Sequence, residues 1–258
     1  MFGIFDSGAG GLSIVNLLRK KFANANFIYL GDTAHFPYGE KSKDNIELYA
    51  DRNTHFLLKK GAKVIIIACH TASSLAADYL RNKYKKVLIY DVIEPTVEYI
   101  NKQDFNRIGI IGTRATINSK IYNKKLKLDL KNIIQQSCPL LVSLIEENWI
   151  DTPEMFSILN YYLSPFKKEK IDGLVLSCTH YSLIKNQVQK ILGPKIDIID
   201  PAEILIEKLA ENINNFKNED SQERFYVTDY PLKFTNLSKA FLGKTTKIKK
   251  INLEKNDN

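Results

Sequence analysis

The sequence is poor in cysteine and lacks any long apolar run. Its 258 residues include three cysteines and one tryptophan, and three thiols do not make a disulfide framework, so each cysteine is interpreted as free. No apolar stretch approaches the roughly 20 residues that span a bilayer. The chain starts almost directly with a strand-like segment at residues 2–5, without a basic and then apolar leader. We therefore predict a cytoplasmic protein that does not bind a membrane.

Positive charge is the one compositional excess, with a net charge of +8. A basic surface can attract phosphate groups, which raises the possibility of a nucleic-acid partner. The lysines are scattered, however, and their densest run, residues 244–250, has no interleaved aromatic side chains. We interpret this run as a solvated, flexible tail and predict that no nucleic acid is required.

Short apolar runs alternate with amphipathic stretches along nearly the whole chain. The strand-like runs are residues 2–5, 27–30, 64–68, 87–90, 108–111, 174–176 and 196–199, and the helix-like segments are 12–22, 46–60, 73–84, 153–163, 183–192 and 202–216. This alternation predicts an α/β fold with mostly parallel sheets. Ligands bind such sheets beyond the carboxyl ends of the strands, so the residues after each strand are the candidates for chemistry.

Three strand ends carry unusual residues. One strand runs into Cys69, another into Cys178, and the first strand runs into Asp6 and the glycine-rich segment 8–11. The spacing of the two cysteines is close to that between Gly3 and Gly109, which begin similar strands. We therefore predict two similar α/β domains, each of which contributes one cysteine to a cleft between them.

A cysteine at the start of a helix lies in a field that stabilises the thiolate and lowers the thiol pKa from about 8.5. Two cysteines in this context favour a catalytic pair, whereas Cys138, before Pro139, is interpreted as structural. Neither Cys69 nor Cys178 has the close ligand spacing of a zinc site. A cysteine peptidase would leave the second cysteine unexplained.

The turn at residues 8–11 is also a candidate dinucleotide-binding site. It follows a strand, and Asp32 lies near the position of a ribose-binding carboxylate. However, Ser13 occupies the third glycine position, and Asp6 would oppose a pyrophosphate. A nucleotide-dependent oxidoreductase therefore stays only a remote alternative.

Taken together, these motifs resemble the glutamate racemases over nearly the whole chain. The matching segments are residues 6–12, 31–39, 69–73, 112–116, 138–147, 178–181 and 224–228. The resemblance implies a first domain of residues 1–93 and 204–258, to which the C-terminal segment returns, and a second domain of residues 94–203. It also implies that glutamate is racemised in the cleft without cofactor or metal, which would supply D-glutamate for peptidoglycan and hence for cell-wall biogenesis and cell shape.

The resemblance implies the roles of individual residues as well. Cys69 and Cys178 would be the acid/base pair, with Asp6 assisting Cys69, and with His180 and Glu146 assisting Cys178. The alternative to Glu146 is its neighbour Glu147. The residues implied to hold the substrate are Ser7, Pro37, Tyr38, Gly39, His70, Thr71, Thr113, Thr116 and Thr179.

The chain departs from the family pattern at four positions. His70 replaces an Asn, and the other three departures are Ser177 for Gly, Ser182 for Pro and Asn148 for Gly. An imidazole titrates near pH 6.5, so His70 could be charged or neutral at the working pH. Because His70 occupies a position that is implied to contact the substrate, the alternative is that the protein is an aspartate racemase or a racemase of broad specificity. A binding protein without turnover is the alternative from another class, and a homodimer is one of the open oligomeric states.

Overall fold

The computed structural model describes residues 1–22, 24–212 and 222–254. The strands of this part of the chain are β1 (Phe2–Asp6), β2 (Phe27–Gly31), β3 (Val64–Ile67), β4 (Leu88–Asp91), β5 (Ile108–Gly112), β6 (Ile133–Ser137), β7 (Gly173–Ser177), β8 (Asp197–Ile199), β9 (Glu223–Val227) and β10 (Ile248–Lys250). The helices are α1 (Leu12–Lys21), α2 (Lys43–Lys59), α3 (His70–Lys83), α4 (Ile93–Ile100), α5 (Arg114–Asn118), α6 (Ile121–Lys125), α7 (Leu141–Glu146), α8 (Pro153–Glu169), α9 (Lys185–Leu192), α10 (Pro201–Asn212) and α11 (Pro231–Leu242).

The strands form two sheets. The first has the order β10-β9-β2-β1-β3-β4 and the second has the order β6-β5-β7-β8. Each described pair of neighbouring strands is parallel. Strand β9 pairs with β2, so the C-terminal segment returns to the first sheet. The predicted α/β class with mostly parallel sheets is therefore confirmed.

Helices cover both faces of each sheet, which is why the central strands are apolar along their whole length. Strands β1, β2, β5 and β7 are buried at every residue. In β1, Phe5 belongs to a core with α2 and α3, whereas Ile4 belongs to a second core. That second core also contains Ile110 and Val175 of the other sheet. One continuous apolar cluster therefore joins the two sheets and fixes their strand ends relative to each other.

Several predicted boundaries need correction. The lysine-rich segment 244–250 is not a free tail, because Ile248–Lys250 forms the edge strand β10 beside β9, although its lysines are exposed. Strand β6 and helix α4 were not predicted. The predicted helix at 183–192 begins as the 3-10 helix Thr179–Ile184 and continues as α9. The predicted end of another helix at Phe216 lies outside the described residues.

The strands of the first sheet all fall within residues 1–93 and 204–258, and those of the second within 94–203. This distribution agrees with the predicted division, but the domain boundaries themselves stay a prediction. Among the described helices, none is long and apolar enough to cross a membrane.

Candidate active site

Cys69 lies at the carboxyl end of the first sheet. It follows β3, an interior strand, and directly precedes α3. Its side chain is buried, and its Sγ donates to Ser7 Oγ at 3.8 Å. Ser7 follows β1, the neighbour of β3, so the parallel register of the two strands brings the serine and the cysteine together.

The pKa of Cys69 corrects the sequence-based expectation. Burial and, to a smaller extent, the nearby Asp6 carboxyl raise the pKa of this thiol to about 12, although the Ala72 amide and Ser7 lower it. The helix start therefore does not make Cys69 a thiolate by itself. The group is a thiol at neutral pH, which suits a proton donor.

Asp6 joins the two sheets. Its Oδ2 accepts from the Gly8 amide at 2.9 Å, and its Oδ1 accepts from Thr179 Oγ1 at 3.3 Å. Burial raises the pKa of Asp6, while His180, the Gly8 and Gly11 amides and Thr179 lower it. The carboxyl group acts on Cys69 through its charge, because its hydrogen bonds go to other residues.

Cys178 lies at the carboxyl end of the second sheet, directly after the interior strand β7. His180, two residues later, hydrogen-bonds Cys178, and its Nε2 lies 3.1 Å from Glu146 Oε1. Burial alone would lower the pKa of His180, but the bonds to Cys178 and Glu146 outweigh it and raise the pKa to about 10. His180 is therefore an imidazolium at neutral pH, and it places a positive charge beside Cys178.

The structure distinguishes between the two candidate glutamates. Glu146 has a side chain that is 6% exposed and contacts His180, whereas the Glu147 side chain is 67% exposed. Burial raises the pKa of Glu146, but His180 and Lys233 lower it below its ordinary value. Glu146 is thus a buried, ionised carboxylate behind His180, and Glu147 is a surface residue.

Three threonine hydroxyls form a polar cluster between the two sheets. Thr71 Oγ1 lies 2.9 Å from Thr113 Oγ1 and 3.4 Å from Thr116 Oγ1, and Thr113 Oγ1 donates to Thr116 Oγ1 at 3.0 Å. Thr71 starts α3 of the first sheet, and Thr113 caps α5 of the second. Such hydroxyls can rotate to donate to a carboxylate.

The segment 37–39 closes the same space from the side. The Tyr38 hydroxyl donates to buried Asp32, and Asn53 Nδ2 donates to the Tyr38 hydroxyl at 3.0 Å. The hydroxyl of Tyr38 is therefore occupied within the protein, and the predicted substrate contact by Tyr38, which stays a prediction, would use the backbone of the segment. Asp32 also accepts from Thr228 Oγ1 at 2.9 Å, which makes it a support for the loop and not a ribose ligand.

His70 is buried beside Cys69. Neither ring nitrogen has a hydrogen-bond partner within the described part of the chain. Burial lowers the pKa of His70 to about 3, so the ring is neutral at any working pH. The imidazole therefore offers one donor and one acceptor to whatever enters the site.

These side chains meet at one small cavity. It is lined by Ser7, Phe36, Pro37, Tyr38, Gly39, Cys69, His70, Thr71, Thr113, Val142, Cys178, Thr179 and His180. The cavity lining does not include Asp6, Thr116 or Glu146, but each of them hydrogen-bonds a residue that lines the cavity. Cys138 is fully buried, with Sγ 3.6 Å from the Gln136 carbonyl oxygen, as expected for a structural cysteine. Within residues 1–22, 24–212 and 222–254, no group of three or more His, Cys, Asp or Glu could hold a metal ion.

The reason for the glycine-rich turn is steric. A Cβ atom on Gly10 would lie 2.3 Å from Thr179 Oγ1 and 2.5 Å from His180 Nδ1. The turn after β1 therefore fits directly against the Thr179-His180 segment of the other sheet. The sequence showed these glycines as a possible dinucleotide turn and as part of the resemblance to the glutamate racemases, but it did not show this steric role.

Sequence reasoning also missed Phe36, Val142 and Lys233. Phe36 and Val142 line the cavity, and Lys233 Nζ lies 3.1 Å from Glu146 Oε2. The two apolar residues carry no chemical signature in a sequence. Lys233 is one of many lysines, and only the fold places it beside a buried carboxylate.

The chain is similar to proteins of known class. Residues 12–209 match the family model described as Asp/Glu/Hydantoin racemase. The glutamate racemase of Syntrophus aciditrophicus is 39% identical over 251 residues, which cover 94% of this chain and 93% of that protein. The glutamate racemase of Aquifex pyrophilus is 38% identical over 96% of both chains. The crystal structure of Francisella tularensis glutamate racemase with D-glutamate is 36% identical, covers 98% of both chains and has a TM-score of 0.89. The chain therefore belongs to the Asp/Glu/hydantoin racemase family, among its glutamate racemases.

Proposed function

We propose that this protein interconverts L- and D-glutamate by a two-thiol mechanism. The observation that carries the proposal is the arrangement of Cys69 and Cys178, which end interior strands of two different sheets and line one cavity. Inversion without a cofactor needs an acid and a base on opposite faces of a planar intermediate. Two cysteines from two domains meet this requirement.

The surroundings of the thiols assign their resting states. Cys178 lies beside the His180 imidazolium and is proposed as the base, whereas Cys69, whose pKa is raised to about 12, is proposed as the thiol acid. The Cα–H bond breaks as an S–H bond forms at Cys178. The Cys69 S–H bond then breaks as the proton is delivered to the opposite face of Cα. In the reverse direction the roles are exchanged: Cys69 removes the α-proton and Cys178 delivers a proton to the opposite face of Cα.

The carbanion formed between these steps needs hydrogen bonds and positive charge on its carboxylate. Donors for that carboxylate are available from Thr71, Thr113 and Thr179, the threonines that line the cavity. Ser7 and the neutral His70 lie beside Cys69 and are proposed to hold the substrate ammonium through acceptor atoms. That ammonium also brings a positive charge near Cys69 and Asp6, which favours the thiolate that Cys69 becomes after it has delivered its proton.

The proposed cellular role is the supply of D-glutamate for peptidoglycan synthesis in the cytoplasm. No metal or cofactor is assigned to the reaction. A homodimer is the oligomeric state to test first, by light scattering of the purified protein.

The function is tested by chiral analysis of the purified protein incubated with L-glutamate and, separately, with L-aspartate, with a chelator present in both. We expect D-glutamate to form and the aspartate rate to be far lower. In D₂O the new enantiomer should carry solvent deuterium from the first turnovers, while the remaining substrate stays protiated. Retention of the original proton in the product would contradict the two-thiol mechanism, and faster turnover of aspartate would assign the alternative substrate.

The substitution His70→Asn should keep kcat/KM for glutamate within about tenfold of the wild type, because one hydrogen bond is worth only ~0.5–1.5 kcal/mol net. Since burial lowers the pKa of His70 to about 3, the ring loses its proton well below the working range. The acid limb of the kcat/KM profile should therefore stay in place in the variant. A shifted acid limb, or a loss as large as that of Cys69→Ala, would make His70 part of the proton-transfer machinery.

A further inference from the structure

Lys233 lies where the two sheets' domains meet behind the site. It is carried by α11, which packs against α1 and β10 of the first sheet's domain. Its Nζ lies 3.1 Å from Glu146 Oε2 and 3.4 Å from Glu147 Oε1, both at the end of α7 in the other domain. The contact therefore crosses from one domain to the other.

Both oxygens of the Glu146 carboxylate have a cationic partner. His180 Nε2 contacts Oε1 at 3.1 Å and Lys233 Nζ contacts Oε2 at 3.1 Å. A carboxylate with a 6% exposed side chain needs such partners to stay charged, because burial alone favours its neutral form. Held at both oxygens, the group also has a defined orientation toward the imidazole.

We propose that Lys233 is a positioning residue for racemisation, which holds the Glu146 carboxylate aimed at His180 and thereby supports the contact of His180 with Cys178. This inference rests on the proposed function and assigns it a residue outside the cavity. Lys233 touches neither thiol, so its effect passes entirely through Glu146 and His180.

The other titratable groups around this chain of contacts are few. Within the described part of the chain, Asp6 lies close enough to His180 for their charges to interact, Cys69, Cys138 and Tyr181 lie similarly close to Cys178, and Glu147 contacts Lys233. None of them brings a second permanent positive charge to Glu146. Without Lys233, the carboxyl group of Glu146 should take up a proton at a higher pH, and His180 should then lose the charged partner that holds its positive charge beside Cys178.

The test compares full-length Lys233→Met, Lys233→Arg and Glu147→Gln with the wild type. The kcat/KM for glutamate is measured from about pH 5 to about pH 9, and the rate at which iodoacetamide alkylates each cysteine is followed by mass spectrometry. We expect Lys233→Met to lower kcat/KM near pH 6 by about tenfold and to move the acid limb to higher pH. The magnitude is that of one charged hydrogen bond, reduced because Lys233 is half exposed.

Alkylation of Cys178 should slow severalfold in Lys233→Met relative to alkylation of Cys69. Lys233→Arg should restore both quantities, and Glu147→Gln should match the wild type because it leaves the bond to Glu146 intact. An unmoved acid limb with an unchanged Cys178 rate in Lys233→Met would overturn the proposal, as would Glu147→Gln behaving like Lys233→Met. Alkylation needs no turnover, so failure of the racemase assignment would appear separately, as absence of racemisation in the wild type.

Discussion

Replacing either Cys69 or Cys178 with alanine should lower racemisation of glutamate by about 10³-fold or more. A positioned general acid or base contributes about 10²–10⁴-fold, and each variant lacks one of the two groups that must act on opposite faces. The measurement is kcat/KM in both directions by chiral chromatography. Because the two enantiomers have equal energy in water, kcat/KM must fall by the same factor in each direction.

Each single variant should still carry out half of the reaction. The thiol that stays in place can remove and return the α-proton of the one enantiomer that faces it, so exchange into D₂O should persist for a different enantiomer in each variant. Cys138→Ala is the matched control, because Cys138 is buried in the second domain's core and bonds only a backbone carbonyl. Exchange of the same enantiomer in both variants would contradict the placement of the thiols on opposite faces.

Gly10→Ala should reduce kcat/KM by more than about 100-fold, although it adds a single methyl group. The new Cβ would lie 2.3 Å from Thr179 Oγ1 and 2.5 Å from His180 Nδ1, far inside contact distance. Either the Thr179-His180 segment moves or the domains separate, and a misplacement of about 1 Å in a catalytic group can cost about 100-fold. Steady-state kinetics of the soluble variant, with circular dichroism to confirm folding, measures the effect.

Gly193→Ala is the control for the general cost of alanine at a glycine. Its Cβ meets nothing within 4 Å, but its φ of +86° strains an L-residue. The control should therefore lose about 1–3 kcal/mol of unfolding free energy and keep its kcat/KM. Near wild-type activity in Gly10→Ala would show that the contact between the turn and the second sheet can yield without consequence.

How well a strand could be predicted from the sequence depended mainly on how deeply it is buried. Strands β1, β3, β5 and β7 were recognisable because interior parallel strands are apolar on both faces. Strand β9, an interior strand, was not among the predicted apolar runs and was indicated only by the resemblance over residues 224–228, whereas the strands missed outright, β6 and β10, are both edge strands. One contains two glutamines and the other two lysines, since an edge strand needs no continuous apolar run and is often protected by charge. Because of these polar residues, neither strand has the apolar run from which a strand is predicted.

Site residues could be predicted where they have reactive or ionisable side chains within a recognisable motif. Cys69, Cys178, Asp6 and His180 could be found because each follows a strand and belongs to a motif. The electrostatics could not be found in this way. The neutral state of His70 and the high pKa of Cys69 both result from burial, which depends on how helices from distant parts of the chain cover the residue. For the same reason, the sequence could not show that the hydroxyl of Tyr38, a predicted substrate contact, is bonded to Asp32.

The pairing of β9 with β2 has a consequence for biosynthesis. Strand β2 is complete at Gly31, but its partner is complete only at Val227. At about 5–20 residues per second, a ribosome needs on the order of 10–40 s to make the intervening chain. Throughout that time the edge of β2 is open to strands of other molecules. A chain that ends before β9 would still contain Cys69 and Cys178. We expect it to aggregate before any loss of catalytic rate could be measured.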